Sequence, residues 1–215
     1  DFCLSRGLGD VYKRQDPNNT QLAELFAYKR RGVEVIDHHR FYELTQRTVP
    51  LWGLNELWFL QSVNYTSFQM FDAFKRLFDI VVGILGSLVA LLVFVPIGAL
   101  IKLDSNGPVL FTQKRVGQNG HVFTLYKFRS MSGGDNNTWT QVGDSRITPV
   151  GFWLRRLRLD ELPQFFNILV GNMSLVGPRP EQVHFVEQLK NQIPFYDERH
   201  IVKPGLTGWS QLHVY

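Results

Sequence analysis

From Ile80 to Ile101 the chain runs for 22 residues without Asp, Glu, Lys, Arg or His, and nothing else in the sequence restricts its folding as strongly. A helix this uniformly apolar has no polar face to show water, so it must be covered by lipid or by the centre of a protein core. In a domain this small, lipid is the expected cover. Pro96 divides the run. A helix from Ile80 to Val95 rises only ~24 Å, short of the ~30 Å hydrocarbon layer, and proline there removes a hydrogen bond from the ladder. Lys75 and Arg76 precede the run, while Lys102, Lys114 and Arg115 follow it, so neither flank is decisively the more basic. A helix that enters the bilayer and turns back at Pro96, with both ends on one face, satisfies both flanks.

Upstream, Leu22, Leu25 and Phe26 follow helical spacing, Gly32 is a stop, and Val33 to Ile36 reads as a strand. A short helix is expected from Phe41 to Gln46, followed by an aromatic stretch from Pro50 to about Leu60. One such αβ unit does not bury its own faces, so residues 16–61 are expected to be the tail of a larger α/β domain. Residues 62–70 read as a polar linker, and residues 1–15, DFCLSRGLGDVYKRQ, resemble translated adapter sequence and are expected to be non-native. Cys3, the only cysteine, leaves no internal disulfide and no cysteine-based metal site.

Beyond the apolar run, at residues 71–102 with its flanks, lies a segment of mixed character, residues 103–215. Val109 to Thr112 and His121 to Phe128 read as strands around a turn at Gln118-Asn119-Gly120. Ser132 to Asp144 reads as a mobile loop, and Val150 to Leu159 as a helix with a basic face. The fold class expected is therefore α/β, with an α+β domain following the membrane helix. A net charge of +4 and a pI near 9.3 suit anionic lipid, phosphorylated substrates or nucleic acid. The chain has none of the spacings that mark nucleic-acid-binding modules, so nucleic acid is the weakest of the three.

Residues 157–180, LRLDELPQFFNILVGNMSLVGPRP, hold the residues best suited to chemistry. Asp160 and Glu161 are adjacent, follow Arg155, Arg156 and Arg158, and precede Pro163 at an expected helix start, where the backbone dipole favours carboxylates and phosphate. An N-cap with surface ion pairs accounts for the same letters. Lys127 and Arg129, two apart on a strand, share a face and can converge on one anion, or they can simply be solvated. Arg155, five residues before Asp160, is a third cation for the site, or part of an ordinary basic helix face. Arg179 stands between Pro178 and Pro180, which restrict its backbone and suit rigid phosphate binding, although a helix stop reads the same way. Lys203 to Trp209 offers a cation, two glycines and an aromatic face suited to a nucleotide, as a plain turn would also look. The histidines lack HxxxH or HxH spacing, and neither a GxSxG elbow nor a P-loop occurs.

Three stretches taken together, Tyr126 to Met131, residues 157–180 and Lys203 to Trp209, resemble the bacterial sugar transferases, monotopic phosphoglycosyl transferases that load polyprenyl phosphate. The resemblance extends from Phe71 to about Leu212. It implies a re-entrant membrane helix with its bend at Pro96, although Val95 stands where the family commonly has serine. It implies transfer of a sugar 1-phosphate from a nucleotide diphosphate sugar, expected to be a UDP-sugar, to undecaprenyl phosphate, with UMP released. Asp160 is implied as the nucleophile, Glu161 with Asp160 as the holder of Mg²⁺, and Lys127, Arg129, Arg155, Arg179 and Lys203 as substrate-binding cations. The implied place is the cytoplasmic face of a bacterial inner membrane, with membrane lipid as a partner and homo-oligomerisation left open. An inactive scaffold of a glycan assembly complex and a UDP-releasing glycosyltransferase are the alternatives. The family usually continues differently from His213-Val214-Tyr215, so a C-terminally shortened catalytic domain is expected.

Overall fold

The computed structural model describes residues 2–4, 19–46, 69–133 and 143–213. The chain divides into two compact units, residues 1–65 and 66–215. In the first, β1 (Phe2–Leu4) pairs antiparallel with β2 (Val35–Asp37), with α1 (Asn19–Arg30) between them in sequence and α2 (His38–Gln46) after. The expected helix, glycine stop and strand are present. Gly32 takes φ 81°, a left-handed conformation open to glycine, and lets the chain leave α1. The second helix begins three residues before the expected Phe41. The aromatic stretch at 50–60, most of the linker at 62–70 and the centre of the 132–144 loop lie outside the described residues.

The second unit is organised by α3 (Gln69–Asp104), a single helix of 36 residues with Pro96 inside it. The helix therefore does not stop at Val95: one missing donor leaves the neighbouring turns bonded. It is long and apolar enough to cross a membrane, and only 11 % of its apolar window is buried in protein, which sets it apart from the core helix of a soluble domain. Leu88, Leu91, Leu92 and Val95 are all more than half exposed.

Both flanks of this apolar stretch pack against the same body. The early part lies along α5 (Gln164–Val170), so closely at Gly86 that a Cβ there would stand 2.2 Å from the Phe165 ring. Asp79, 3 % exposed, accepts from Ser174 Oγ at 3.1 Å and from the Leu175 N–H at 2.9 Å. Arg76 donates to the Ile168 and Leu169 carbonyls, each at 2.8 Å, covering two of the acceptors that the end of α5 leaves open. The late part is tied as firmly. Arg129 donates to the carbonyls of Ser105 at 2.6 Å, Asn106 at 2.9 Å and Ile101 at 3.3 Å, where α3 ends.

The hairpin of β3 (Leu110–Val116) and β4 (Val122–Phe128) divides the apolar interior into two clusters. On one side Phe128 meets Ile97 and Ile101 of α3 and Leu154 of α4 (Pro149–Arg156). The other side packs Phe123 and Leu125 against Ile168 and Met173. Each fully buried side chain of this size contributes about 1.5–3 kcal/mol, so both clusters stabilise the hairpin. Thr148 caps α4, its Oγ1 accepting from the Gly151 N–H at 3.0 Å with Pro149 in the first turn. β5 (Ser174–Val176) pairs parallel with β6 (Gly205–Thr207), with α6 (Val183–Gln192) in the connection, and α7 (Trp209–His213) closes the described chain. The architecture is mixed helix and small sheet, as expected.

Asn167, 1 % exposed, acts on α5 as a strand residue would: its Nδ2 donates to the Thr124 carbonyl at 2.7 Å and its Oδ1 accepts from the Tyr126 N–H at 3.2 Å. This amide fixes α5, and the acid pair ahead of it, against the edge of β4 next to Lys127.

Candidate active site

A reversal of the chain places the acid pair. α4 ends at Arg156, the Leu157 N–H caps it on the Trp153 carbonyl at 3.0 Å, and Arg158 then takes the left-handed conformation φ 58°, ψ 18°. For a non-glycine residue this costs ~1–2 kcal/mol. Leu159 and Leu162 drop into the first apolar cluster, and Asp160 between them is carried inward to 7 % exposure. The acids occupy a 3-10 turn, Leu159–Glu161, rather than the first turn of a helix. α5 begins only at Gln164 and has 7 residues, so the dipole support expected from the sequence is weak at this distance.

Facing them is one side of the hairpin. The register pairs Arg115 with Phe123 and Lys127 with Phe111, so Phe111, Gln113 and Arg115 share a face with Phe123, Leu125 and Lys127. Arg115, Leu125, Lys127, Glu161, Gln164, Arg179 and Pro180, with Gly205 and Leu206 of β6, line a cleft of about 350 Å³ including its open mouth. Lys127 Nζ lies 5.1 Å from the centre of the Phe111 ring. The loop that carries Arg179 is fixed by its backbone. Arg115 donates to the Pro180 carbonyl at 3.0 Å, Arg199 to the Arg179 carbonyl at 2.9 Å, and Gly205 N–H to the Pro178 carbonyl at 2.8 Å. Gly177 and Gly205 approach so closely that a Cβ on Gly205 would stand 2.1 Å from the Gly177 nitrogen.

The charges are unevenly compensated. Burial, with the neighbouring Glu161 second, raises the Asp160 pKa from 3.8 to about 6, while Lys127 and Arg155 pull it down. Among the described residues, Asp160 has no ion pair within 4.0 Å, whereas Glu161 lies 3.7 Å from Arg158. Burial also pushes the Lys127 amine below the ordinary lysine range; Asp160 opposes this, while Arg115, Arg155 and Arg179 reinforce it. Lys127 thus senses the acid and three guanidinium groups at once. Arg155 lies beside this group, donating to Met131 Sδ at 3.3 Å.

Of the residues expected from sequence, Asp160, Glu161, Lys127, Arg155 and Arg179 are brought together. Arg129 and Lys203 are not. Arg129 follows β4 with the parity of Lys127, but its guanidinium is spent on the carbonyls at the end of α3, so the expected convergence of the two cations does not occur. Lys203 stands two residues before the cleft-lining Gly205 and senses Arg76, Asp79 and Lys75 at the foot of α3 instead. Arg115 and Gln164 are cleft residues that the sequence reading missed. The hairpin register, countable from the Gln118-Asn119-Gly120 turn, would have put Arg115 on the Lys127 face. Gln164 carries no comparable signal.

Residues 70–215 match the profile of the family described as Bacterial sugar transferase. The UDP-N-acetylgalactosamine-undecaprenyl-phosphate N-acetylgalactosaminephosphotransferase of Aeromonas hydrophila is 52 % identical over 136 residues, 60 % of this chain and 32 % of the relative. The UDP-glucose:undecaprenyl-phosphate glucose-1-phosphate transferase of Escherichia coli (strain K12) is 47 % identical over 142 residues, 65 % of this chain and 31 % of the relative. The Exopolysaccharide production protein PSS of Rhizobium leguminosarum bv. phaseoli is 44 % identical over 152 residues, 64 % of this chain and 72 % of the relative. The chain spans about a third of the length of the first two.

The raised Asp160 pKa has a consequence for stability. The folded state holds the Asp160 proton more tightly than the unfolded chain, so the ionised carboxylate destabilises the fold fully above about pH 6, and the penalty vanishes below pH 3.8. Asp160→Asn is expected to raise thermal stability above about pH 6 by an amount on the order of 1–3 kcal/mol and to leave it unchanged below pH 3.8. Unfolding midpoints of both chains in a metal-free buffer series check this. A variant less stable than its parent at high pH would contradict the electrostatic reading of the site.

Proposed function

Since this chain belongs to the bacterial sugar transferase family, we propose that it transfers a sugar 1-phosphate from a UDP-sugar to undecaprenyl phosphate, giving undecaprenyl diphosphate sugar and UMP. The product would initiate an exopolysaccharide, capsule or O-antigen. The carrying observation is Asp160: a buried carboxylate beside a cationic cleft, with no cation among the described residues in direct contact to occupy its lone pairs. A carboxylate locked in an ion pair is a poor nucleophile, whereas one held near cations but out of their contact keeps its reactivity.

The steps follow from the charges. Lys127 and Arg179 neutralise the donor diphosphate in the cleft, with Arg155 adding positive charge from beside Asp160 and Arg115, bonded to the Pro180 carbonyl and 4.0 Å from Glu181, adding charge alone. An Asp160 carboxylate oxygen attacks the sugar-proximal phosphorus. The bond from that phosphorus to the bridging oxygen breaks, and UMP leaves with the electron pair. An oxygen of the lipid phosphate then attacks the same phosphorus, displacing the Asp160 carboxylate and forming the new diphosphate. Asn167 and the Arg158 turn hold the acid and Lys127 in fixed relation while both steps proceed.

Mg²⁺ suits the donor set. Among the described residues no cluster of three acidic, histidine or cysteine side chains exists, and two adjacent carboxylates fit a hard cation that completes its shell with phosphate oxygens and water. Glu161 would hold it, with Asp160 contributing only the carboxylate oxygen that does not attack, and it would supply neutralisation of the diphosphate charge.

The re-entrant reading of α3 is part of this proposal. It is supported by the ties at both flanks: Asp79 and Gly86 before the exposed stretch, and Arg129 after it, all bind one catalytic body. A bend at Pro96 would place that body on one face, the cytoplasmic face of a bacterial inner membrane, with the cleft near the lipid phosphate.

Two measurements test the reading. The nucleotide released from a UDP-sugar by the membrane-embedded chain is expected to be UMP. UDP would mean a conventional glycosyltransferase, and absence of turnover a scaffold. Topology reporters inserted after Gln69 and after Lys114 are expected to report the same side of the membrane, and opposite sides would establish a true span.

A further inference from the structure

Outside the cleft, the foot of α3 carries a second concentration of charge. Lys75 donates to Ser174 Oγ and, at 3.3 Å, to the Val176 carbonyl, and it lies 3.6 Å from Asp79. Arg76 is bonded to the end of α5. Sheet pairing brings Lys203 to the same place: Gly205, two residues on, pairs with Ser174, and the Ser174 N–H donates to the Pro204 carbonyl at 2.9 Å. Lys203 is half-buried and, among the described residues, makes no hydrogen bond or ion pair with its amine.

Asp79 is the carboxylate whose charge acts on Lys203. Asp79 already accepts from Ser174 and Leu175 and pairs with Lys75, so Lys203 is left without its own counter-charge. Burial first, then Arg76 and Lys75, push the Lys203 pKa below the ordinary lysine value, with Asp79 only partly opposing. An anion at this point would relieve the imbalance. The surroundings select the kind of anion. Phe71 and Phe78, one helical turn to either side of Lys75, are each more than half exposed, as are Val176, whose carbonyl accepts from Lys75, and Val202, next to Lys203 in sequence, so apolar surface borders the charged group where α3 begins.

We infer that Lys203, in the field of Lys75 and Arg76, binds the phosphate head of a membrane lipid, with polyprenyl phosphate as its occupant. The identity of that lipid rests on the proposed function. Lys203 supplies a charge-assisted hydrogen bond to a phosphate oxygen, and Lys75 and Arg76, whose donors are committed to protein acceptors, supply charge alone. The apolar rim takes the first part of the hydrocarbon chain. Gly205 and Leu206 line the cleft, and only two residues, at most ~7 Å of chain, separate Lys203 from Gly205, so the bound phosphate would wait beside the cleft wall.

The test is a titration of the full chain in phosphatidylcholine nanodiscs with a short-chain polyprenyl phosphate, the corresponding uncharged polyprenol, and inorganic phosphate. Lys203→Gln is expected to weaken polyprenyl phosphate binding roughly tenfold, the loss of one charged hydrogen bond, without affecting polyprenol. Lys203→Arg should restore most of the affinity. Unchanged polyprenyl phosphate binding in Lys203→Gln would overturn the site. Equal loss in the Gln and Arg variants would make the residue structural and overturn it as well. Inorganic phosphate that displaces the lipid at comparable concentration would identify a free-phosphate site and overturn the lipid assignment. Adduct formation by the unsubstituted chain with donor alone requires no acceptor, so failure of the catalytic proposal would show there, separately from this titration.

Discussion

The attachment of both flanks of one apolar helix to a single small body is the constraint on which the other features depend. A buried carboxylate, Asp79, holds the early flank to β5, and a buried guanidinium, Arg129, holds the late flank through three carbonyls. Buried groups of this kind are costly to leave unpartnered, so neither tie opens easily. Between them leucines and valines of α3 such as Leu88, Leu91, Leu92 and Val95 are largely exposed, and in the proposed membrane setting the body is held at whatever depth the helix adopts. A soluble domain with a loosely tethered anchor would leave its site free to move relative to the lipid. In the proposed membrane setting, two such ties remove that freedom.

On this frame the site resolves a conflict between charge and burial. In the proposed reaction Asp160 has to be near cations to meet a diphosphate, and out of their direct contact to react. The left-handed Arg158 turn and the two leucines on either side of Asp160 carry it inward, and the cations stand on separate elements: Lys127 on β4 and Arg155 on α4 act on Asp160, and Arg179, on a loop fixed by its backbone, acts on Lys127 in the cleft. Separation among elements keeps any one of them from closing an ion pair. The raised pKa of Asp160 and the lowered pKa of Lys127 are two signs of the same arrangement, in which burial outweighs the opposite charges nearby.

The acids, the GPRP loop and the apolar run were legible in the sequence because each is local: adjacency, flanking prolines and the absence of charge can all be read from letters. Arg129 and Lys203 were misplaced relative to the cleft because their surroundings are not local. Strand parity gives the side on which Arg129 leaves β4, but the end of α3 that receives it lies about 25 residues earlier, at Ile101 to Asn106. Lys203 is directed by the parallel pairing of β5 with β6, which joins segments some thirty residues apart and leaves no spacing signal. Pro96 gave a break in the ladder but not the end of the helix, since a proline deletes one bond and the surrounding turns keep theirs. The 3-10 turn at Leu159–Glu161 was hidden because a left-handed arginine has no sequence mark such as glycine would give.

The central claim is that Asp160 becomes bonded to the phosphosugar. Incubation of the membrane-embedded chain with UDP-sugar and no lipid acceptor, followed by acid quenching, proteolysis and mass spectrometry, tests it most directly. The account predicts a sugar-phosphate mass increment on the peptide containing Asp160, localised to that residue and lost when polyprenyl phosphate is added before the quench. Consumption of donor with that peptide unmodified, or an increment on another residue, would contradict it.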